Sequence, residues 1–217
     1  MSRTPVHIVG CGGHAKVITS MIAAGDRFEI ASFIDRAPAA GTRFLDRPVV
    51  AEEVFLAEGG GDAVVFGLGE WQHRAAAVAR FKAAGFSSFP AVVAPSATVS
   101  PDVTVGEGSV LMPGVYVNAG SEIGDFCVLN TGAILDHDCW LGRGAALAPG
   151  VTVGGGCRIG GGAYIGIGAS VSHGRTLGDG AVLGGGGFLK DDAGAGEFWA
   201  GVPASFIRKR APGETIL

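Results

Sequence analysis

From Val93 to Leu189 an aliphatic side chain stands at every sixth position without a break, through Val99, Val105, Leu111, Val117, Ile123, Leu129, Leu135, Leu141, Leu147, Val153, Ile159, Ile165, Val171, Leu177 and Leu183. A period of six matches neither the 3.6 of an α-helix nor the 2.0 of a strand. It is the spacing of a hexapeptide-repeat parallel β-helix. Four residues after each aliphatic comes a mostly small one, among them Ala97, Ser109, Ser121, Cys127, Ala133, Cys139, Ala145, Cys157, Ala163 and Ala169. Both registers are expected to point into a narrow triangular coil. Three hexapeptides close one coil of 18 residues, coils stack at roughly 4.8 Å, and the run supplies about five of them in a prism roughly 25 Å tall. Gly106, Gly124, Gly142, Gly154, Gly160, Gly166, Gly178 and Gly184 each follow an aliphatic directly. They are expected to supply positive φ at tight corners. Because they are phased in this way, much of the large glycine content is structural rather than low-complexity.

Ahead of the repeat the pattern changes to short apolar runs separated by helical stretches. Val6–Val9 reads as a strand, followed by Gly10-Cys11-Gly12-Gly13-His14-Ala15 and a helix from Lys16 to Ala24. This matches G-x-G-x-x-G/A with Ala15 last, a turn that lets backbone N–H groups and a helix N-terminus approach a phosphate. A second strand, Phe28–Ile34, ends in Asp35, where an acidic residue meets a ribose hydroxyl in such folds. A third, Ala63–Phe66, leads into Gly67-Leu68-Gly69 and a helix from about Glu70 that carries Arg74. A strand over Ser88–Val92 then joins the repeat. The division expected is residues 1–90 and 91–217. About 90 residues hold one βαβαβ mononucleotide-binding half, not the two halves that bind a dinucleotide. A nucleotide-linked small molecule therefore fits better than NAD, although a glycine turn of this kind also occurs with no ligand at all.

Charge and cysteine content narrow the classes. Sixteen basic against twenty acidic residues give a net charge of -4, with no basic cluster of the kind nucleic acids require. No signal peptide and no apolar run of membrane-spanning length is visible, so the expected compartment is the cytoplasm, with no membrane partner. Cys127, Cys139 and Cys157 fall in the small inward register and read as small hydrophobes rather than a disulfide. No cysteine pair has zinc-ligand spacing, and no metal is expected.

Chemistry must come from the outward corner, two residues after each aliphatic. There His137 stands in Leu135-Asp136-His137-Asp138-Cys139, between two carboxylates. A carboxylate beside an imidazole orients it and raises its basicity, as a general base near neutral pH requires. The plainer reading is a surface histidine among solvated acids. Gly155 lies 18 residues on, at the same corner of the next coil, and is expected to offer a bare backbone N–H as an oxyanion donor. His173, a further 18 on and roughly 10 Å from His137 by the strand spacing, reads as peripheral.

The Gly-x-Gly-Gly-His turn, Phe33-Ile34-Asp35, Gly69 with Arg74, Leu129-Asn130-Thr131, Asp136-His137-Asp138-Cys139 and the closing Ala200-Gly201-Val202-Pro203-Ala204 together resemble the sugar O/N-acetyltransferases of sialic-acid, bacillosamine and perosamine pathways. The resemblance covers nearly the whole chain. It implies a half-Rossmann α/β domain followed by a left-handed β-helix, and a homotrimer with active sites between neighbouring β-helices. Acetyl-CoA would be the cosubstrate, and a nucleotide-linked amino sugar the acceptor. It further implies His137 as general base with Asp138 as its partner, and Asn130 near the sugar. Gly155, Gly166, Ile167 and Gly185 would line the CoA channel. Gly10, Gly12, Gly13, His14, Asp35 and Gly69 would line the nucleotide-sugar pocket. Bacillosamine-type relatives carry a second histidine nine residues after the first, where this chain has Ala146.

The expected reaction is N-acetylation of a nucleotide-linked 4-amino-4,6-dideoxysugar for surface polysaccharide such as O-antigen. A GDP-perosamine-like acceptor is placed first and a UDP-linked amino sugar next; Asp35 suits guanine, uracil or a ribose alike. Sugar O-acetylation needs the same base and donor, and a non-enzymatic nucleotide-sugar-binding trimer would leave the Asp-His-Asp group idle. A γ-type carbonic anhydrase, which resembles the repeat domain, needs three zinc-binding histidines where the repeat offers His137 and His173. The tail Arg208-Lys209-Arg210 reads as a solvated charge run.

Overall fold

The computed structural model describes residues 3–211 and 213–216. The chain divides into two compact units between Pro95 and Ser96.

The first unit comprises β1 (Thr4–Val9), α1 (Gly13–Ala24), β2 (Phe28–Asp35), β3 (Arg43–Phe44), β4 (Arg47–Ala51), α2 (Glu52–Glu58), β5 (Ala63–Phe66) and α3 (Trp71–Ala83). Its sheet runs β3-β4-β2-β1-β5, parallel except for the β3–β4 hairpin. Val6, Ile8, Phe33, Ile34, Val64 and Val65 are fully buried, as strands covered on both faces require. Because β2 and β5 flank β1, the loops leaving all three open at the C-terminal edge of the sheet, where α/β folds bind ligands.

Two features depart from the hydrophobic pattern. Between Asp35 and Ala63 that pattern shows no element, yet β3, β4 and α2 form there; each is too short for a period to register. The strand expected over Ser88–Val92 does not form, and only Val92–Val93 enters a ladder. Pro90 lacks a backbone donor, and Ser88 contributes just its carbonyl, accepting from Val64 N–H at 2.9 Å.

The second unit is a left-handed parallel β-helix built from two-residue strands in three sheets. Tyr116 pairs with Ile134, Glu122 with Trp140 and Val128 with Ala146, so each strand meets its neighbour 18 residues on. Both inward registers fill the core: Leu129, Leu135, Leu141 and Leu147 beside Cys127, Ala133, Ala145 and Val151. The cysteine thiols are free and donate to corner carbonyls, Cys139 Sγ to Gly154 O at 3.3 Å and Cys157 Sγ to Ser172 O at 3.1 Å. A hairpin of Glu197–Gly201 and Ala204–Lys209 closes the unit. The basic tail is tied back: Arg208 pairs with Glu214 at 2.6 Å and Lys209 with Glu197 at 3.0 Å.

The glycine assignment needs correcting. Positive φ falls three residues after the aliphatic, at positions such as Gly108, Gly132 and Gly150, not at the position directly after it. The glycines directly after the aliphatic are needed for space. A Cβ on Gly142 would lie 2.6 Å from Gly161 N in the next coil, whereas one on Gly150 would meet nothing. Gly150→Ala is therefore expected to cost about 1–2 kcal/mol of left-handed backbone strain. Gly142→Ala forces two backbones apart and should cost more, near the upper end of the roughly 1–3 kcal/mol of overpacking. Thermal melts rank them; a Gly150→Ala variant less stable than Gly142→Ala would contradict this packing.

Candidate active site

His137 sits at a corner held from the coil on either side. Asp138 occupies the register that glycine holds at most corners, and adopts the left-handed conformation there with φ 56°. Aspartate tolerates this better than most residues, and a non-glycine held in it marks a site where geometry outweighs strain. Asp138 N–H donates to Ala119 O at 3.0 Å. A Cβ at Gly120 would come within 2.5 Å of Asp138 Oδ1, so the glycine makes room for the carboxylate. In this pose Asp138 Oδ2 lies 2.8 Å from His137 Nδ1. Asp136 Oδ1 accepts His137 N–H at 2.9 Å and Asn118 Nδ2–H at 2.7 Å, while Ser121 Oγ donates to Asp136 O at 2.7 Å.

The imidazole is basic and open. Its pKa is raised, first by the hydrogen bond to Asp138 and then by the charge of Asp136. Asp136 is held below the usual carboxylate range, chiefly by the Asn118 amide and then by the His137 N–H. With Nδ1–H directed at Asp138, the Nε2 lone pair faces outward, and 58% of the side chain is exposed. Across the coil gap Nε2 faces Gly155, where a Cβ would lie 2.5 Å away. The supports Asn118 and Gly120 were legible in principle, since each stands 18 residues before the residue it holds, whereas Ser121 stands 15 before Asp136.

The expectation of a bare Gly155 N–H is corrected. That amide donates to His173 Nδ1 at 3.0 Å. This amide points toward the side chain 18 residues on, as those of Glu107 and Gly161 do. His173 is accordingly part of the corner and not peripheral to it.

In the first unit, Gly10, Gly12, Gly13, His14, Asp35 and Gly69 line one cavity of about 540 Å³. Gly12 and Gly13 begin α1 with no side-chain cap, and a Cβ on either would meet nothing, leaving the helix N-terminus open to an anion. Gly69 lets His14 approach: a Cβ there would lie 2.2 Å from the imidazole Cε1. Buried Arg74 braces that loop, donating Nη1–H to Leu68 O at 2.8 Å and Gly69 O at 2.9 Å. Burial, then the neighbouring Asp35, pushes the Cys11 thiol up to about 11, which favours the protonated thiol over the nucleophilic thiolate. The cavity also holds Arg36, His73 and a Glu52–Arg80 pair, bidentate at 2.5 and 3.0 Å. The glycine motif did not point to these. Glu52 comes from α2, an element too short to register in the sequence.

Residues 5–81 match the PglD N-terminal domain family. The chain matches no curated protein. Among solved structures it is similar to PerB from Caulobacter crescentus, in complex with CoA and GDP-perosamine (TM-score 0.87, 37% identity, 94% of this chain and 97% of that one). It is also similar to the acetyltransferase domain of PglB from Neisseria gonorrhoeae FA1090, which has been solved with acetyl coenzyme A (TM-score 0.86, 30% identity, 94% and 100%). The chain belongs to the acetyl-CoA-dependent sugar N-acetyltransferases. WeeI from Acinetobacter baumannii AYE is similar at TM-score 0.83 and 26% identity over 94% of this chain and all of that one.

For an acetyltransferase of this family the position of the remaining residues matters. Gly166, Ile167 and Gly185 come together at one corner: Gly186 N–H donates to Ile167 O at 2.8 Å, and a Cβ on Gly166 would lie 2.5 Å from Gly185 N. Ile167 there is 65% exposed, large for an apolar side chain. Asn130 precedes the same corner, buried, with its Nδ2 on Leu147 O at 3.0 Å. This is a different corner from that of His137, so one chain does not bring the two groups together. Ala146 is buried. Among the described residues no helix is long and apolar enough to cross a membrane.

A pH dependence follows from the dyad. With His137 as base, only the neutral imidazole is active, so kcat/KM falls as pH drops through its raised pKa, above the ordinary 6.5. Asp138→Asn removes the principal cause of the raised pKa and should move that acid limb to lower pH while reducing the plateau. A limb that stays in place in pH–rate profiles of the variant would contradict the coupling.

Proposed function

We propose that this acetyltransferase moves acetyl from acetyl-CoA to the 4-amino group of a nucleotide-linked 4-amino-4,6-dideoxysugar. A GDP-perosamine-like acceptor is placed first and a UDP-linked amino sugar second, in cytoplasmic synthesis of surface polysaccharide. The observation that carries this reading is the His137–Asp138 pair, with a left-handed aspartate holding Nδ1 and an open Nε2 against Gly155. The likeness to PerB, solved with GDP-perosamine, supports the order of acceptors.

In the proposed reaction the sugar amine attacks the thioester carbonyl in a ternary complex. The new N–C bond forms, His137 Nε2 takes the amine proton, and Asp138 steadies the imidazolium. The C–S bond then breaks and the thiolate leaves with that proton as CoA. The open N-terminus of α1 and the cavity around Asp35 take the nucleotide diphosphate. Because the His137 corner and the corner of Asn130, Gly166, Ile167 and Gly185 are separate, a homotrimer in which neighbouring chains pair these corners completes the site. Thiol release measured against a panel of GDP- and UDP-linked 4-amino sugars tests the reading. Turnover should appear with at least one of them, highest with GDP-perosamine; no turnover with any would refute the substrate class.

A further inference from the structure

The Gly155 amide is already in use. Its N–H donates to His173 Nδ1 at 3.0 Å. The same device recurs at two other corners, where the side chain 18 residues on accepts the corner amide. Glu107 N–H donates to Asp125 Oδ1 at 3.1 Å, and Gly161 N–H to Asp179 Oδ1 at 2.7 Å. In both of those the acceptor is a carboxylate. In the row that contains His137 it is an imidazole. The two adjacent glycines seat the two imidazoles: a Cβ on Gly155 would lie 2.5 Å from His137 Nε2, and one on Gly154 would lie 3.0 Å from His173 Nδ1.

A carboxylate is the stronger acceptor, since charge-assisted hydrogen bonds are roughly twice as strong as neutral ones. It would also place an anion beside the carbonyl oxygen on which negative charge develops during acyl transfer. A neutral imidazole satisfies the amide without either effect, and gives it up more readily to an oxyanion. An amide that exchanges a neutral acceptor for a developing oxyanion contributes more in the transition state than in the ground state, which is the condition for accelerating the reaction.

We propose that His173 is a positioning residue, holding the Gly155 amide aligned beside His137 and handing it to the thioester oxygen when acetyl-CoA is in place. This rests on the transferase reading above. His173 exchanges no proton with the substrate: the bonds made and broken are those of the acetyl transfer, and only the acceptor of the Gly155 amide changes.

The test compares His173→Asp with His173→Asn, each assayed on the high-pH plateau so that a shifted His137 pKa does not enter. A purely structural cap predicts that Asp serves as well as His, as it does at the other two corners. The hand-over predicts instead that His173→Asp keeps its thermal midpoint but loses kcat. Loss of one oxyanion donor costs about 10²–10³-fold, so kcat of His173→Asp should fall at least about tenfold below that of His173→Asn. Equal kcat in the two variants overturns the proposal.

A second measurement needs no acceptor sugar. The Gly155 amide resonance of ¹⁵N-labelled protein is followed on adding acetyl-CoA or S-ethyl-CoA, which lacks the carbonyl oxygen. The amide signal should move with acetyl-CoA and not with S-ethyl-CoA; equal movement with both overturns the hand-over. Failure of the transferase reading would show separately, as wild-type protein that releases no CoA with any amino sugar.

Discussion

Replacing His137 with alanine is expected to lower kcat by about 10²–10⁴-fold, the usual contribution of a general base. The side chain is 58% exposed and, among the described residues, its ring is hydrogen-bonded just to the neighbouring Asp138, so the thermal midpoint should hardly move. The expected signature is therefore loss of turnover in a fully folded protein. Because the proposed base acts on the amine proton and not on acetyl-CoA, the loss should lie in kcat, with KM for acetyl-CoA little changed. His137→Asn keeps a polar side chain but no basic nitrogen, and should be equally slow. Turnover near wild type at neutral pH in either variant would assign the proton to another group.

Gly155→Ala is expected to reduce kcat by about 10²-fold without unfolding the chain. Gly155 is not among the residues with positive φ, so its backbone accepts a Cβ. What that Cβ meets is the far end of a side chain, His137 Nε2 at 2.5 Å. The imidazole must swing away, losing the 2.8 Å bond to Asp138 and the alignment of its lone pair. A displacement of about 1 Å at a reacting group typically costs that factor. The contrast with Gly142→Ala is informative, because there the added carbon meets backbone and the damage is to stability. Steady-state kinetics and a melt on both variants separate the two effects. A Gly155→Ala protein that is unstable but fully active per folded molecule would contradict the placement of His137.

The six-residue period made the prism legible, and its 18-residue coil aligned His137 with Gly155 and His173. The glycine turn after β1 likewise led to the cavity around His14, Asp35 and Gly69. What stayed hidden follows from how a period works. Spacing says which residues share a corner but not where a backbone amide points, so the Gly155–His173 bond was not visible. Nor does a period separate glycines needed for a positive φ, such as Gly150, from those needed for room, such as Gly142. Asp138 breaks the run of glycines in the positive-φ register, and only the backbone reveals that it keeps the left-handed conformation there, which aims its carboxylate at His137. The α2 residue Glu52, partner of Arg80, escaped because seven helical residues carry too little periodicity to announce themselves.

The most direct test is the chemical nature of the product formed from acetyl-CoA and GDP-perosamine. Transfer to the 4-amino group predicts one acetyl per sugar for each CoA released, in an amide that survives neutral hydroxylamine, with the reaction slowed at least about 10²-fold in His137→Ala. An acetyl group removed by hydroxylamine, and so carried on a hydroxyl, or CoA release with no acetylated sugar, would contradict the account.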